Sequence, residues 1–194
     1  IRMPKRRIVI VKGSPRREGN TAALADRVAE GAKEVGAVVD VFYLHGMNIA
    51  PCDACDGCRE KIDDDCVVDD DMQLIYPKLR AADALVVASP VYWFSVSAQT
   101  KIFMDRCYAL AGDDTGEYAL KGKEIGIVMT YGDADPFVSG AVNALRTLQD
   151  AFRYVGAPIV GMVYGTADAA GEIRENKTVM EAAYALGKRL GAGR

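Results

Sequence analysis

Short apolar runs rich in β-branched residues alternate along the chain with longer amphipathic segments. Strands that are apolar on both faces and separated by helices form parallel sheets that are covered on both sides. Five such runs occur, at residues 7–11, 38–44, 84–88, 124–130 and 158–163. Segments with apolar residues at helical spacing follow them, at residues 21–36, 72–79, 97–110, 137–155 and 172–190. The pattern predicts an α/β fold, a doubly wound five-stranded parallel sheet in a three-layer arrangement.

The size and charge of the chain limit its fold and its partners. At 194 residues, half of them hydrophobic, the chain is expected to form one domain spanning residues 1–194. Its net charge of −3 argues against a nucleic-acid partner. No apolar run reaches the roughly 20 residues of a membrane span, so no membrane partner is expected. Five cysteines without an export signal indicate a cytoplasmic location, where disulfides are rare.

The loop after the first strand carries groups suited to an anion. It contains Ser14, Arg16, Asn20 and Thr21 among glycines, and a helix follows directly. Hydroxyls, an amide, a guanidinium and unpaired backbone N–H groups at a helix N-terminus suit a phosphate monoester. The spacing matches neither the dinucleotide pattern nor the Walker pattern. The alternative is an ordinary loop in which Ser, Asn and Thr act as helix caps.

Two more loops are expected at the same edge of the sheet, where ligands bind in open α/β folds. One follows the third strand and contains Pro90, Val91, Tyr92 and Trp93. The other follows the fourth strand, at residues 130–135. Consecutive aromatic residues at this position suit a planar ring, although they also suit a subunit interface. Phosphate donors and aromatics arriving from three strand ends predict an FMN site.

Four of the five cysteines lie within fifteen residues, in an insertion at about residues 50–70. Their spacing, Cys52-x2-Cys55-x2-Cys58-x7-Cys66, begins like a ferredoxin motif and suits a [4Fe–4S] cluster. Structural zinc is a second interpretation, but zinc sites usually separate two close cysteine pairs more widely. Four reduced thiols without metal are the third. Acidic residues at positions 53, 56 and 63–65 raise thiolate pKa values and so weigh against a cluster.

Taken together, these segments resemble the NADPH-dependent FMN reductase family and its relatives, the iron–sulfur flavoproteins. The resemblance rests on residues 13–21, the four cysteines, residues 70–72, residues 89–93, Lys101 and residues 105–106. It implies a flavodoxin-like sheet of order 2-1-3-4-5 and an FMN-binding domain that holds its cofactor non-covalently. It also implies a homodimer or homotetramer in which a neighbouring subunit completes the flavin pocket.

The resemblance assigns roles to individual residues. The FMN phosphate would be held by Ser14, Arg16, Asn20 and Thr21. The isoalloxazine ring and ribityl chain would be lined by Pro90, Val91, Tyr92 and Trp93, with Thr130, Tyr131 and Gly132 on the other side. The cluster ligands would be Cys52, Cys55, Cys58 and Cys66. No catalytic side chain is expected, because the flavin itself carries the redox step.

The predicted function is that of an FMN-dependent oxidoreductase. Electrons would come from NAD(P)H or reduced ferredoxin and pass to a quinone, a flavin or another small acceptor, through the cluster if one is present. Two alternatives remain open. One is a non-catalytic electron carrier, and the other is a regulatory flavodoxin-like protein whose cysteines sense redox state. The fold alone does not distinguish among them.

Overall fold

The computed structural model describes residues 4–60, 65–111 and 117–193. Within these residues the strands are β1 (Arg7–Lys12), β2 (Val38–Tyr43), β3 (Ala84–Tyr92), β4 (Ser95–Val96), β5 (Glu124–Tyr131) and β6 (Ile159–Thr166). The α-helices are α1 (Asn20–Glu34), α2 (Gly57–Glu60), α3 (Met72–Ala81), α4 (Ala98–Arg106), α5 (Ala141–Tyr154) and α6 (Lys177–Ala192). None of the helices in these ranges is long and apolar enough to cross a membrane.

The strands form one sheet in the order β2-β1-β3-β5-β6, and all neighbours in this order are parallel. The short strand β4 lies outside the order and pairs antiparallel with the end of β3. The five parallel strands, counted along the chain, therefore have the predicted arrangement 2-1-3-4-5. Strand β4 was not predicted, because two residues are too few to show a period. The strand order reverses beside β1, which places the expected ligand crevice at the carboxyl end of that strand.

Alternate side chains of each central strand point to opposite faces of the sheet and belong to two separate hydrophobic cores. On β1, Ile8 and Ile10 join one core while Val9 and Val11 join the other. This is the period of two that strand geometry imposes, with both faces buried as in other parallel sheets. Helices α1 and α6 cover the first face, and helices α3, α4 and α5 cover the second.

Helices α1 and α6 approach each other closely at glycines. A β-carbon at Gly187 would lie 2.8 Å from the carbonyl carbon of Val28 and 2.9 Å from the amide nitrogen of Ala32. Both are backbone atoms, so neither yields by a rotamer change. The close crossing fixes α1 against the sheet, and its N-terminus lies at the carboxyl end of β1.

Candidate functional site

A cleft opens at the carboxyl ends of the parallel strands, where three predicted loops converge. Ten of the eleven residues predicted to bind FMN line it, and Trp93 is the exception. The cavity measures about 180 Å³, below the ~300–1,000 Å³ of pockets that enclose a whole drug-sized ligand. The described residues that line it are Ser14, Arg16, Gly19, Asn20, Thr21, Pro90, Val91, Tyr92, Thr130, Tyr131, Gly132, Ala167 and Asp168.

Hydrogen bonds to β3 and to the N-cap of α4 hold the loop between β1 and α1 in place. The amide of Gly13 donates to the carbonyl of Ala88 over 2.8 Å, and the hydroxyl of Ser97 donates to the carbonyl of Gly13 over 2.7 Å. The hydroxyl oxygen of Ser14 accepts the amide of Arg16 over 3.1 Å, which curls the loop. Ser14 is buried, whereas Arg16 is exposed at the cleft. These hydrogen bonds hold the loop in place, and Ser14 and Arg16 line the cleft.

The first turn of α1 keeps its backbone N–H groups available. Its N-cap is Gly19, and among the described residues no side chain caps it. No acidic residue occupies the first turn either. An uncapped helix N-terminus carries unpaired donors and partial positive charge, which favour an anion.

Asn20 and Thr21 line the cleft, but their side chains bond to other loops. The amide nitrogen of Asn20 donates to the carbonyl of Ala169 over 2.9 Å, and its oxygen accepts the amide of Ile173 over 3.2 Å. The hydroxyls of Thr21 and Thr130 lie 2.5 Å apart. These two side chains therefore join α1 to the loop after β6 and to the end of β5. Ser14, Arg16, Asn20 and Thr21 all line the cleft, so their predicted role as phosphate ligands stays a prediction.

The aromatic turn after β3 is a two-residue hairpin loop with a strained backbone. Pairing of Tyr92 with Ser95 leaves Trp93 and Phe94 as the loop, at φ values of 46° and 64°. Positive φ at both positions is the type I′ pattern, which Asn and Gly adopt far more easily than aromatic residues. Trp93 is 92% exposed and meets Phe94 edge to face, with ring centroids 5.9 Å apart. Trp93 therefore lies outside the cleft lining, one residue beyond Tyr92, which lines it.

Sequence reasoning missed the contribution of the loop after β6. Ala167 and Asp168 line the cleft beside Gly132, and a β-carbon at Gly132 would lie 3.1 Å from a carboxylate oxygen of Asp168. The amide of Asp168 donates to the carboxylate of Glu172 over 2.8 Å, which stabilises the loop. The signal was present, because β6 ends at the same sheet edge as the strands whose loops were predicted to bind ligand.

The cysteine insertion lies beside the core that α3, α4 and α5 cover. Cys52 and Cys55 are exposed, whereas Cys58 and Cys66 are half-buried and pack against that core. Burial raises the pKa of the Cys58 thiol, and the positive charge of neighbouring Arg59 offsets part of that rise. Within the described residues, no three His, Cys, Asp or Glu side chains are placed together as a metal site. Residues 63 and 64, two of the predicted acidic positions, lie outside the described ranges.

A buried ion pair joins the two ends of this insertion. The Arg106 side chain is 0% exposed and that of Asp70 is 3% exposed, with Nη1 2.5 Å from Oδ2. A second bond of 3.2 Å links Nη2 to Oδ1. Burial alone would raise the pKa of Asp70, but bonds from Arg106 and from the amides of Ala50 and Met72 lower it below its usual value. Asp70 is therefore a charged, fully paired carboxylate.

Comparison with known proteins gives the family and the fold. Residues 6–172 match the NADPH-dependent FMN reductase family. An iron–sulfur flavoprotein from Methanosarcina thermophila is 36% identical over 155 residues, which cover 80% of this chain and 77% of that protein. An iron–sulfur flavoprotein from Methanocaldococcus jannaschii is 36% identical over 100 residues, about half of either chain.

The solved structures share the fold at low sequence identity. An NAD(P)H:quinone oxidoreductase from Methanothermobacter marburgensis superimposes with a TM-score of 0.74 at 18% identity. The match covers 96% of this chain and all of the other. At 18% identity the structural similarity establishes the flavodoxin-like fold and nothing further.

Proposed function

The chain belongs to the NADPH-dependent FMN reductase family and is an FMN-dependent oxidoreductase, and from that premise we propose that it binds one FMN in the cleft and passes electrons from NAD(P)H to a small acceptor. The observation that carries the proposal is the convergence of three strand-end loops on an uncapped helix N-terminus. When bound, FMN supplies the electron transfer, and the residues of this chain bind and orient it.

The phosphate end of FMN is assigned to the loop between β1 and α1. Backbone amides of α1 and the hydroxyl of Ser14 would donate to the phosphate, and Arg16 would add positive charge. Asn20 and Thr21 also support this site, because they hold the loop after β6 and the end of β5 against α1.

The ribityl chain and ring are assigned to the carboxyl ends of β3 and β5. Residues 90–92 would line one side and residues 130–132 the other. Because the cavity is smaller than a whole cofactor, part of the ring would extend past it toward Trp93. A neighbouring subunit of a homodimer or homotetramer would cover that part, as exposed Trp93 and Phe94 favour an interface.

We also propose that Cys52, Cys55, Cys58 and Cys66 ligate a [4Fe–4S] cluster. Four thiols at this spacing fit the donor set of a cluster, which supplies a one-electron carrier. Two relatives are named iron–sulfur flavoproteins. As placed in the structure, the described thiols do not form a ligand group, so loading requires the insertion to rearrange. Reduced ferredoxin is then a second candidate donor, and quinones or free flavins are candidate acceptors.

A pair of arginine variants tests the FMN site. Arg16 lines the cleft, whereas its neighbour Arg17 stacks over the ring of Tyr43 at 4.2 Å and is absent from the lining. Arg16→Ala should weaken FMN binding by about 10- to 150-fold, because a charged hydrogen bond contributes roughly 1.5–3 kcal/mol. Arg17→Ala removes the same charge and should leave the affinity within about twofold. Equal effects of the two variants, measured by flavin fluorescence titration, would refute the phosphate assignment.

Steady-state oxidation of NAD(P)H separates the proposal from its alternatives. An oxidoreductase turns over repeatedly with a quinone or free flavin as acceptor. Bound FMN without turnover would indicate an electron carrier or a redox sensor instead.

A further inference from the structure

Both ends of the cysteine insertion meet at one guanidinium group. Nη1 of Arg106 donates to the carbonyl of Ala50 over 2.8 Å as well as to Asp70. The carboxylate of Asp70 in turn accepts the amide of Ala50 over 2.9 Å and the amide of Met72 over 3.0 Å. Ala50 and Asp70 flank the segment that contains Cys52, Cys55, Cys58 and Cys66. The ion pair therefore closes the loop that contains the four thiols.

Arg106 is a fully buried charged residue, although it binds a loop whose residues are partly exposed. A buried charge that loses its partner costs far more than an exposed one. The backbone carbonyl of Arg106 also accepts the hydroxyl of buried Tyr76 over 2.9 Å. The guanidinium Nε is buried and has no hydrogen-bond partner among the residues that the structure describes. A buried N–H without a partner is destabilising, so an acceptor placed beside this donor would be stabilising.

The helix that carries Arg106 also braces the phosphate loop. Ser97, the N-cap of α4, bonds to Gly13, and a β-carbon at Gly13 would overlap the hydroxyl of Thr100. Helix α4 has nine residues and so spans about 13 Å. One short rigid element thus contacts the flavin loop at its first turn and the cysteine loop at its last residue.

We infer that Arg106 is a positioning residue for the cysteine loop. Together with Asp70 it holds both ends of the loop on α4. Its Nε–H, which has no hydrogen-bond partner among the described residues, is the donor for a sulfur ligand when the loop holds its cluster. The hydrogen bond to a sulfur ligand rests on the proposed cluster, whereas the clamp on the two ends of the loop does not. Hydrogen bonds from outer groups to metal ligands orient them and offset their charge. The clamp would keep the thiols at a constant place relative to the FMN cleft.

The first test measures thiol reactivity in the FMN-loaded, iron-free protein. Asp70→Asn and Arg106→Lys remove the bidentate pair, and lysine keeps the charge without the fork geometry. Alkylation of the half-buried Cys58 and Cys66 by iodoacetamide, followed by peptide mass spectrometry, should accelerate by about tenfold or more as the loop opens locally. Bound FMN should stay at one per chain.

Glu124→Gln is the matched control, because the pair of Arg6 and Glu124 is a second partly buried ion pair at 2.7 Å, away from the insertion. It should alter the alkylation rate by less than about twofold. Equal acceleration in Glu124→Gln and Asp70→Asn would show a general loss of stability and overturn the inference. Unchanged reactivity in Asp70→Asn and Arg106→Lys would overturn it as well.

The second test measures iron after anaerobic reconstitution. Iron per FMN should fall by at least half in Asp70→Asn and Arg106→Lys but not in Glu124→Gln. Full iron uptake by the two clamp variants would overturn the role toward the cluster. If the wild-type protein takes up no iron, the proposed cluster fails, and the alkylation rates alone decide on the clamp.

Discussion

Replacing Gly13 with alanine tests how α4 positions the phosphate loop. The added β-carbon would overlap Oγ1 of Thr100 and would lie 3.0 Å from Oγ of Ser97 and 3.2 Å from Cβ of Thr100. Ser97 and Thr100 are both fully buried, and their hydroxyls bond to each other over 2.9 Å. Neither can turn away without breaking that bond, so the loop must move by about 1.5 Å to restore ordinary contact distances.

The expected cost follows from this overlap. Overpacking of a tight core typically destabilises a protein by about 1–3 kcal/mol, and Gly13→Ala should lower the free energy of unfolding by that amount. Displacement of Ser14 and the α1 amides should weaken FMN binding by about tenfold, equivalent to about 1.4 kcal/mol. Urea denaturation measures the first quantity and flavin fluorescence titration the second.

A second substitution checks the cause. Thr100→Ala removes the overlapping hydroxyl, so the double variant should be more stable than the sum of the single effects predicts, by about 0.5–3 kcal/mol. Gly36→Ala is the control, because Gly36 ends the turn after α1 with φ +90° and has nothing within 4 Å of its β-position. It should lower stability through backbone strain and leave FMN affinity unchanged. Additive effects in the double variant, or wild-type affinity in Gly13→Ala, would refute the reasoning.

Three further predictions follow from particular contacts. Gly187→Ala should lower the free energy of unfolding by about 1–3 kcal/mol in urea denaturation, because backbone atoms of α1 fill the space its β-carbon needs. The lowered pKa of Asp70 adds stability above the unfolded value of ~3.9 that is lost as pH falls, so the deficit of Asp70→Asn in unfolding titrations should shrink below about pH 4. Replacing Trp93 with Asn and Phe94 with Gly should relieve the strained turn and raise the melting temperature, while FMN affinity falls.

Periodicity was enough to predict the fold because both faces of each central strand are buried. Alternate residues of β1 enter different cores, so the whole run is apolar and its helices must cover both sides. The two-residue strand β4 carries no such signal. Loop positions at the sheet edge were also predictable, because the carboxyl ends of parallel strands meet at one edge.

Side-chain partners within the site were not predictable from residue types. Asn20 and Thr21 have the chemistry of phosphate ligands, yet their partners lie at Ala169 and Thr130, more than 100 residues along the chain. Such pairings depend on how loops meet after the sheet has formed. The ion pair between Asp70 and Arg106 has the same origin, since a run of aspartates before a helix indicates capping at the sequence level.

The most direct test of the central claim is anaerobic titration of the purified protein with NADPH and NADH, followed by its visible flavin spectrum. The account predicts one FMN per chain, whose absorbance bleaches on addition of a nicotinamide donor and returns when a quinone is added. Protein that binds no FMN, or bound FMN that neither nicotinamide donor reduces, would contradict it.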